Sequence, residues 1–247
     1  MTSSRQLPGA ERLIVALDVP TVGEALSAVK ELDNVSFFKV GLQLFMTGGL
    51  PTLLQSLRDK RVFVDLKVPG DISNTISAVI DLCIDYRVTF LTLSESMPRA
   101  AIRAAAATRT TRGRTEPKLL TVPFLSSLDA GDLAEMLGAG DDLETVVLKR
   151  AKAAIDAGCD GVIASGAAIQ WCRAAFPRPT LVVSPGIRPA GAMTDDHKRH
   201  TTPAEAIRSG ADYLVVGRPI LRAQDRRAAA DSVIQEIDMT LRSLVGE

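Results

Sequence analysis

The chain has 247 residues, 46% hydrophobic and 23% charged, a composition that excludes a disordered or fibrous protein and a length that suits one (β/α)8 barrel or two smaller domains. Its 29 basic and 29 acidic side chains cancel, so no overall positive field exists to hold nucleic acid, and any anionic ligand must be caught locally. No run approaches the roughly 18 apolar residues of a membrane span, which excludes a membrane partner of that kind.

In chain order, β-rich runs alternate with longer helical patterns. Met1–Arg12 contains no apolar core of signal-peptide length. Leu13–Asp18 is the first expected strand, and Val22–Leu32 follows with apolar residues at helical spacing. Phe37–Gly41 and Arg61–Lys67 are the next strands, then a helix at Ile76–Ile84, a strand at Val88–Leu93, a helix at Ala100–Thr108 and a strand at Lys118–Phe124. The basic stretch Arg109, Arg112, Arg114 and Lys118 lies among Thr and Gly and reads as a solvated loop. In the long fifth connection, Gly138–Asp142 reads as a turn between two helices, the second being Leu143–Ala157. Gly161–Ala164, Thr180–Ser184 and Tyr213–Val216 bring the strands to eight.

Several of these strands are nearly continuous apolar runs, as parallel strands buried on both faces are. Alternating β and α elements imply a parallel sheet with right-handed crossovers. Eight strands at this length predict an α/β fold, a (β/α)8 TIM barrel, as a single domain, since no low-complexity linker divides the chain. An open doubly wound sheet is the main rival, although no G-x-G-x-x-G follows Asp18. Cys83, Cys159 and Cys172 lie far apart with no C-x-x-C pair, which suggests buried thiols in a reducing compartment and a cytoplasmic protein.

In such barrels, active-site residues project from the C-terminal strand ends and the loops after them. Asp18, Lys39, Asp65-Leu66-Lys67 and Ser184 are the polar residues there. Asp65 and Lys67 are two apart on one strand, so their side chains leave the same face. Asp71 follows in the next loop. A structural ion-pair network closing the barrel mouth would explain any single pair; the whole set of Asp18, Lys39, Asp65, Lys67 and Asp71 favours chemistry. Ser184-Pro-Gly-Ile-Arg188-Pro and Gly217-Arg218-Pro219-Ile mark a second feature. Loops after strands seven and eight commonly bind phosphate. Gly217 allows close backbone approach, Pro219 suits a first helical turn and Arg218 can grip phosphate oxygens bidentately. A non-catalytic phosphate-ligand barrel is the alternative from another functional class.

Val15-Ala-Leu-Asp18, Lys39-Val-Gly41, Asp65-Leu-Lys67 with Asp71-Ile-Ser-Asn-Thr75, Ser184-Pro-Gly-Ile-Arg188-Pro and Gly217-Arg-Pro-Ile220, taken in order, resemble the orotidine 5′-monophosphate (OMP) decarboxylase family. The resemblance implies conversion of OMP to UMP and carbon dioxide in de novo pyrimidine biosynthesis, with no metal or organic cofactor. It implies a homodimer with its active sites at the subunit interface, and no nucleic-acid or membrane partner. Lys67 would protonate C6 within an array of Lys39, Asp65, Lys67 and Asp71, while Asp71 and Thr75 would reach into the partner's site. Asp18 and Lys39 would hold the ribose hydroxyls, Ser126 the pyrimidine, and Arg188, Gly217 and Arg218 the phosphate. The chain departs from the family pattern twice. Val68, Pro69 and Gly70 separate Lys67 from Asp71 where the family has two residues, and His197 stands where the family usually has a glutamine bridging base and phosphate. A neutral histidine can also donate and accept there. Loop 184–202, rich in Gly and Pro, is the candidate for closure over the ligand. The metal-dependent 3-keto-gulonate phosphate decarboxylases and hexulose phosphate synthases share the Asp-x-Lys motif; Lys39 argues against them, since a magnesium site would favour a carboxylate in that region.

Overall fold

The β-rich runs form eight parallel strands whose ladder closes on itself in the computed structural model, which describes residues 7–69, 73–125, 131–132, 135, 142–189 and 201–245. In order these are β1 (Leu13–Ala16), β2 (Phe37–Gly41), β3 (Arg61–Val68), β4 (Phe90–Leu93), β5 (Lys118–Thr121), β6 (Gly161–Ile163), β7 (Leu181–Ser184) and β8 (Tyr213–Val216). β1 pairs with β2 on one side and with β8 on the other, Ile14 opposite Val215, and that contact decides for the closed (β/α)8 barrel over the open sheet. Strands β1, β4, β5, β6 and β7 are shorter than the apolar runs that announced them. Asp18, Phe124 and Ala164 lie beyond the ladder, where the chain turns out at the barrel mouth.

Among the described residues the helices include α1 (Gly9–Arg12), α2 (Val22–Glu31), α3 (Leu42–Met46), α4 (Leu50–Ser56), α5 (Ser73–Asp85), α6 (Arg99–Thr111), α7 (Leu143–Asp156), α8 (Ala168–Ala175), α9 (Pro203–Arg208), α10 (Arg218–Leu221) and α11 (Arg226–Val245). Side-chain caps start several of them by accepting backbone donors that the first turn leaves unpaired. Thr21 Oγ1 accepts from Glu24 N at 3.1 Å, Asp142 Oδ1 accepts from Thr145 N at 2.7 Å, and Thr202 with Glu205 forms a reciprocal capping box before Pro203. The α5 and α6 helices run past their apolar-periodic cores into Ser, Arg and Thr, which cost a helix little at its ends.

The basic stretch is not a solvated loop. Arg109 lies on α6 and pairs with Asp160, Lys118 opens β5 and approaches the same carboxylate at 3.5 Å, and Arg112 bridges Asp81 and Asp85 at 3.0 Å each. Of the turn expected at Gly138–Asp142, only Asp142 belongs to the described residues. Among those residues no helix is long and apolar enough to cross a membrane.

Two cores follow from the period-two alternation of a strand. Outward residues such as Leu13, Val15, Phe38, Val40, Val62, Val64 and Leu91 pack under the helices. Inward residues, including Ile14, Phe37, Phe63, Phe90, Leu120 and Tyr213, fill the barrel. Phe90 lies edge-on to Phe37 and Tyr213, with ring centroids 5.0 and 5.1 Å away. Beneath them the Arg61 guanidinium lies 4.2 Å over the Phe37 ring, and the fully buried Arg12 donates to Asp212 O at 3.1 Å. The N-terminal end is thereby plugged, and the cavity lies at the other mouth.

Candidate active site

The inward position after each aromatic is polar. Two residues beyond Phe37, Phe63 and Phe90 stand Lys39, Asp65 and Thr92, so the alternation that packs the core also builds a polar layer above it. Lys39 Nζ donates to Asp18 Oδ1 at 2.9 Å and lies 3.5 Å from Asp65 Oδ2; Lys67 Nζ donates to Asp65 Oδ1 at 3.0 Å. One carboxylate thus stands between two ammonium groups. Their exposures order them: the Lys39 side chain is 10% exposed, Asp65 17%, Lys67 41% and Asp18 49%. Lys39 anchors the layer from below, and Lys67 meets the space above.

Burial alone would push Asp65 towards its neutral form. The ammonium groups of Lys39 and Lys67, with hydrogen bonds from Lys67 and Thr92, outweigh it and hold the carboxyl below its ordinary range. Burial likewise works against the charge on Lys39, and Asp65 and Asp18 overcome it, raising that ammonium's pKa. Gly41 permits this packing: a Cβ there would lie 3.1 Å from Lys39 Nζ and 3.2 Å from Asp18 Oδ1.

Lys67 reaches the layer by an irregular route. The β3–β4 register shifts between Val64 and Val68, which pair with Leu91 and Leu93, and Lys67 takes a left-handed φ of 49°. The expectation that Asp65 and Lys67 share a face through plain alternation therefore gives the right juxtaposition by the wrong geometry. A bulge re-aims the lysine. Thr92 Oγ1 accepts the Lys67 backbone N–H at 2.9 Å and donates to Asp65 Oδ1 at 3.0 Å.

Above this layer opens a cavity of about 700 Å³, within the size range of small-molecule sites. Phe63, Val122, Leu125 and Ile163 give it an apolar wall, and Gly186, Arg188, Gly217 and Arg218 form a cationic, glycine-bearing end. Arg188 is largely buried, and its Nη1 donates to Ile187 O at 2.9 Å. The bridge between Ile187 and Thr201 holds the two described ends of the loop after β7 together.

The barrel thus brings Asp18, Lys39, Asp65, Lys67, Arg188, Gly217 and Arg218 into one cavity. Thr75 lies on α5, exposed, and is not among the residues lining it. Asp71, Ser126 and His197 fall outside the described residues. Ser184 is fully buried and donates to Pro185 O at 3.3 Å instead of facing the cavity. Sequence reasoning missed Thr92, whose signal was a hydroxyl at an inward position of an apolar strand. It also missed Arg222 and Arg226, which line the cavity and follow Arg218 at four-residue steps.

The whole chain, and not only this cavity, can be compared with known proteins. The model of the orotidine 5′-phosphate decarboxylase / HUMPS family matches residues 11–233. The chain belongs to this family. An orotidine 5′-phosphate decarboxylase of Methylococcus capsulatus is 44% identical over 95% of each chain, and one of Cereibacter sphaeroides is 44% identical over 92% of this chain and 97% of its own. The crystal structure of orotidine 5′-phosphate decarboxylase from Lactobacillus acidophilus superposes with a TM-score of 0.76 at 31% identity, covering 92% of this chain and 98% of that one. The resemblance carried by the sequence motifs is borne out, as is the barrel.

Proposed function

We propose that this protein decarboxylates orotidine 5′-monophosphate to UMP and carbon dioxide for pyrimidine biosynthesis, without a cofactor. The observation that carries the reading is a carboxylate, Asp65, held between two ammonium groups of which only Lys67 stands well exposed to the cavity. Decarboxylation moves a negative charge from the leaving carboxylate to C6 of the pyrimidine, leaving the total charge unchanged, so catalysis must act on where the charge sits. An ammonium at C6 favours the carbanion and then supplies its proton. Asp65 beside the departing carboxylate disfavours the bound ground state.

One ion contact at 4 Å is worth about 4 kcal/mol at an effective dielectric of 20, whereas enzymes lower barriers by ~23 kcal/mol or more. Lys67 therefore acts together with remote binding. Asp18 and Lys39 hold the ribose hydroxyls, Ser126 the pyrimidine, and Arg188, Gly217 and Arg218 the phosphate, with His197 bridging base and phosphate. These contacts keep the ring in place as the charge moves. Support comes from the separation of an apolar wall, suited to the base, from the arginine-bearing end of the same cavity.

The working unit is a cytoplasmic homodimer of single-domain subunits, with Asp71 and Thr75 completing the partner's site. Two observations support the dimer. Thr75 is exposed outside its own subunit's cavity, and α3, directly after Gly41, exposes Leu42, Phe45 and Met46, an apolar face suited to covering by a second copy.

The test follows absorbance loss from OMP with purified protein and EDTA present. Turnover is expected with chelator, and Lys67→Ala is expected to abolish it while UMP binding is largely kept. Ordinary activity in that variant would overturn the reading, and loss of activity with EDTA would favour the metal-dependent branch of the family.

A further inference from the structure

Thr92 is a fully buried hydroxyl on β4, in the layer directly above the barrel aromatics. A hydroxyl has one proton to give and lone pairs with which to receive. Both capacities are used at the same pair of residues, since Thr92 Oγ1 donates to Asp65 Oδ1 at 3.0 Å and accepts from Lys67 N at 2.9 Å. The second bond replaces one that the sheet cannot make. Val64 pairs with Leu91 and Val68 with Leu93, so β3 advances four residues where β4 advances two, and the intervening β3 backbone falls out of register with its neighbour. A backbone N–H left without an acceptor in the interior is costly, and the Thr92 side chain supplies the acceptor.

The bulge also has to hold a strained residue. Lys67, with its full side chain, sits at φ 49°, a conformation that persists only where the surroundings over-determine it. Its ammonium rests on Asp65 Oδ1, the carboxylate oxygen that receives the Thr92 hydroxyl, while Oδ2 faces Lys39 at 3.5 Å. The same hydroxyl therefore grips the lysine at its backbone and, through Asp65, at its charged end.

We propose that Thr92 is a positioning residue for decarboxylation, its single hydroxyl fixing both the left-handed backbone of Lys67 and the carboxylate that orients the Lys67 ammonium. The proposal rests on the reading of Lys67 as proton donor and goes beyond it by naming what sets the lysine's aim. Without the hydroxyl, the Asp65 carboxylate can rotate and the Lys67 backbone can leave its strained conformation. A displacement on the order of 1 Å at a reacting group costs about 100-fold in rate. The ribose and phosphate contacts come from other strands and loops, so ground-state binding should be spared.

Thr92→Val keeps the shape and removes donor and acceptor together; Thr92→Ser keeps the hydroxyl. In the OMP assay, Thr92→Val is expected to lower kcat roughly 10- to 100-fold with KM and UMP affinity within about threefold of the unaltered protein, and Thr92→Ser to restore most of kcat. Should valine prevent folding, Thr92→Cys, similar in size with a weak donor and acceptor, carries the same expectation as valine. A purely structural role would lower the melting temperature and leave kcat per UMP-binding molecule unchanged. That result, or a Thr92→Ser variant as impaired as Thr92→Val, would overturn the proposal. So would a rise in KM at constant kcat. An unaltered protein with no turnover would overturn the activity reading and this inference with it, whereas an active unaltered protein and an equally active Thr92→Val would overturn this inference alone.

Discussion

Asp65 is the residue on which the site's charges depend, because among the described residues it is the one carboxylate that faces both lysines. Its folded pKa is depressed: burial opposes the charged form, and Lys39, Lys67 and Thr92 outweigh burial. Such a group contributes stability above the unfolded-state pKa and loses it as pH falls through the lower folded value. Lys39 has the opposite sign. With a folded pKa raised by Asp65 and Asp18 against burial, it contributes stability below the unfolded-state value, lost as pH rises through the higher folded one. Both contributions are complete across the neutral range. Asp65→Asn is therefore expected to melt below the unaltered protein by a constant margin between about pH 5 and about pH 9, the gap narrowing on acidification below about pH 4. Melting curves across pH check this; a gap that widens in acid would contradict the ion-pair account. The three buried thiols take no part in these events, since burial pushes Cys83, Cys159 and Cys172 up to about 12.

Among the elements, β3 departs furthest from a regular strand and carries two of the proposed catalytic residues. Elsewhere the strands keep register, β6 with β7 among them, which makes their close approaches unforgiving. Gly161 on β6 pairs with Leu181 on β7, and a Cβ at Gly161 would come within 2.4 Å of Leu181 O and 2.6 Å of Leu181 Cβ. Both are fixed to the sheet and cannot swing aside. Gly161→Ala is expected to cost roughly 1–3 kcal/mol, a fall in Tm of about 2–10 °C at this chain length, with KM little changed because Gly161 does not line the cavity. Calorimetry with the OMP assay measures both. A variant that melts with the unaltered protein would show that β6 and β7 separate more easily than their pairing implies.

At the scale of the whole molecule, the closed ladder and plugged floor leave one mouth for chemistry, and the proposed site is complete only with a second copy. Mixing inactive Lys67→Ala and Asp71→Ala proteins is expected to regenerate about a quarter of full activity per site, by statistical pairing into hybrid dimers with one intact site each. Turnover after subunit exchange reads this directly. No recovery, with exchange confirmed by mass, would refute the sharing of Asp71 across the interface.

Much of this was written locally in the chain. Apolar runs marked the eight strands, helical spacing marked α2, α5, α6 and α7 but not the longest helix, α11, and polar residues at the strand ends singled out Lys39, Asp65 and Lys67, because each of these signals lies within its own segment. The ordered motifs from Val15 to Ile220 were enough to indicate the family. The pairing of β1 with β8, the irregular β3–β4 register, the left-handed backbone at Lys67 and the two bonds of Thr92 were settled in three dimensions alone. Each depends on hydrogen bonds between segments far apart or out of step in sequence, and no local pattern specifies which donor meets which acceptor across a sheet. The same holds for the division of labour between the lysines: composition makes them alike, and only the depth of the barrel buries Lys39 and leaves Lys67 open to the cavity.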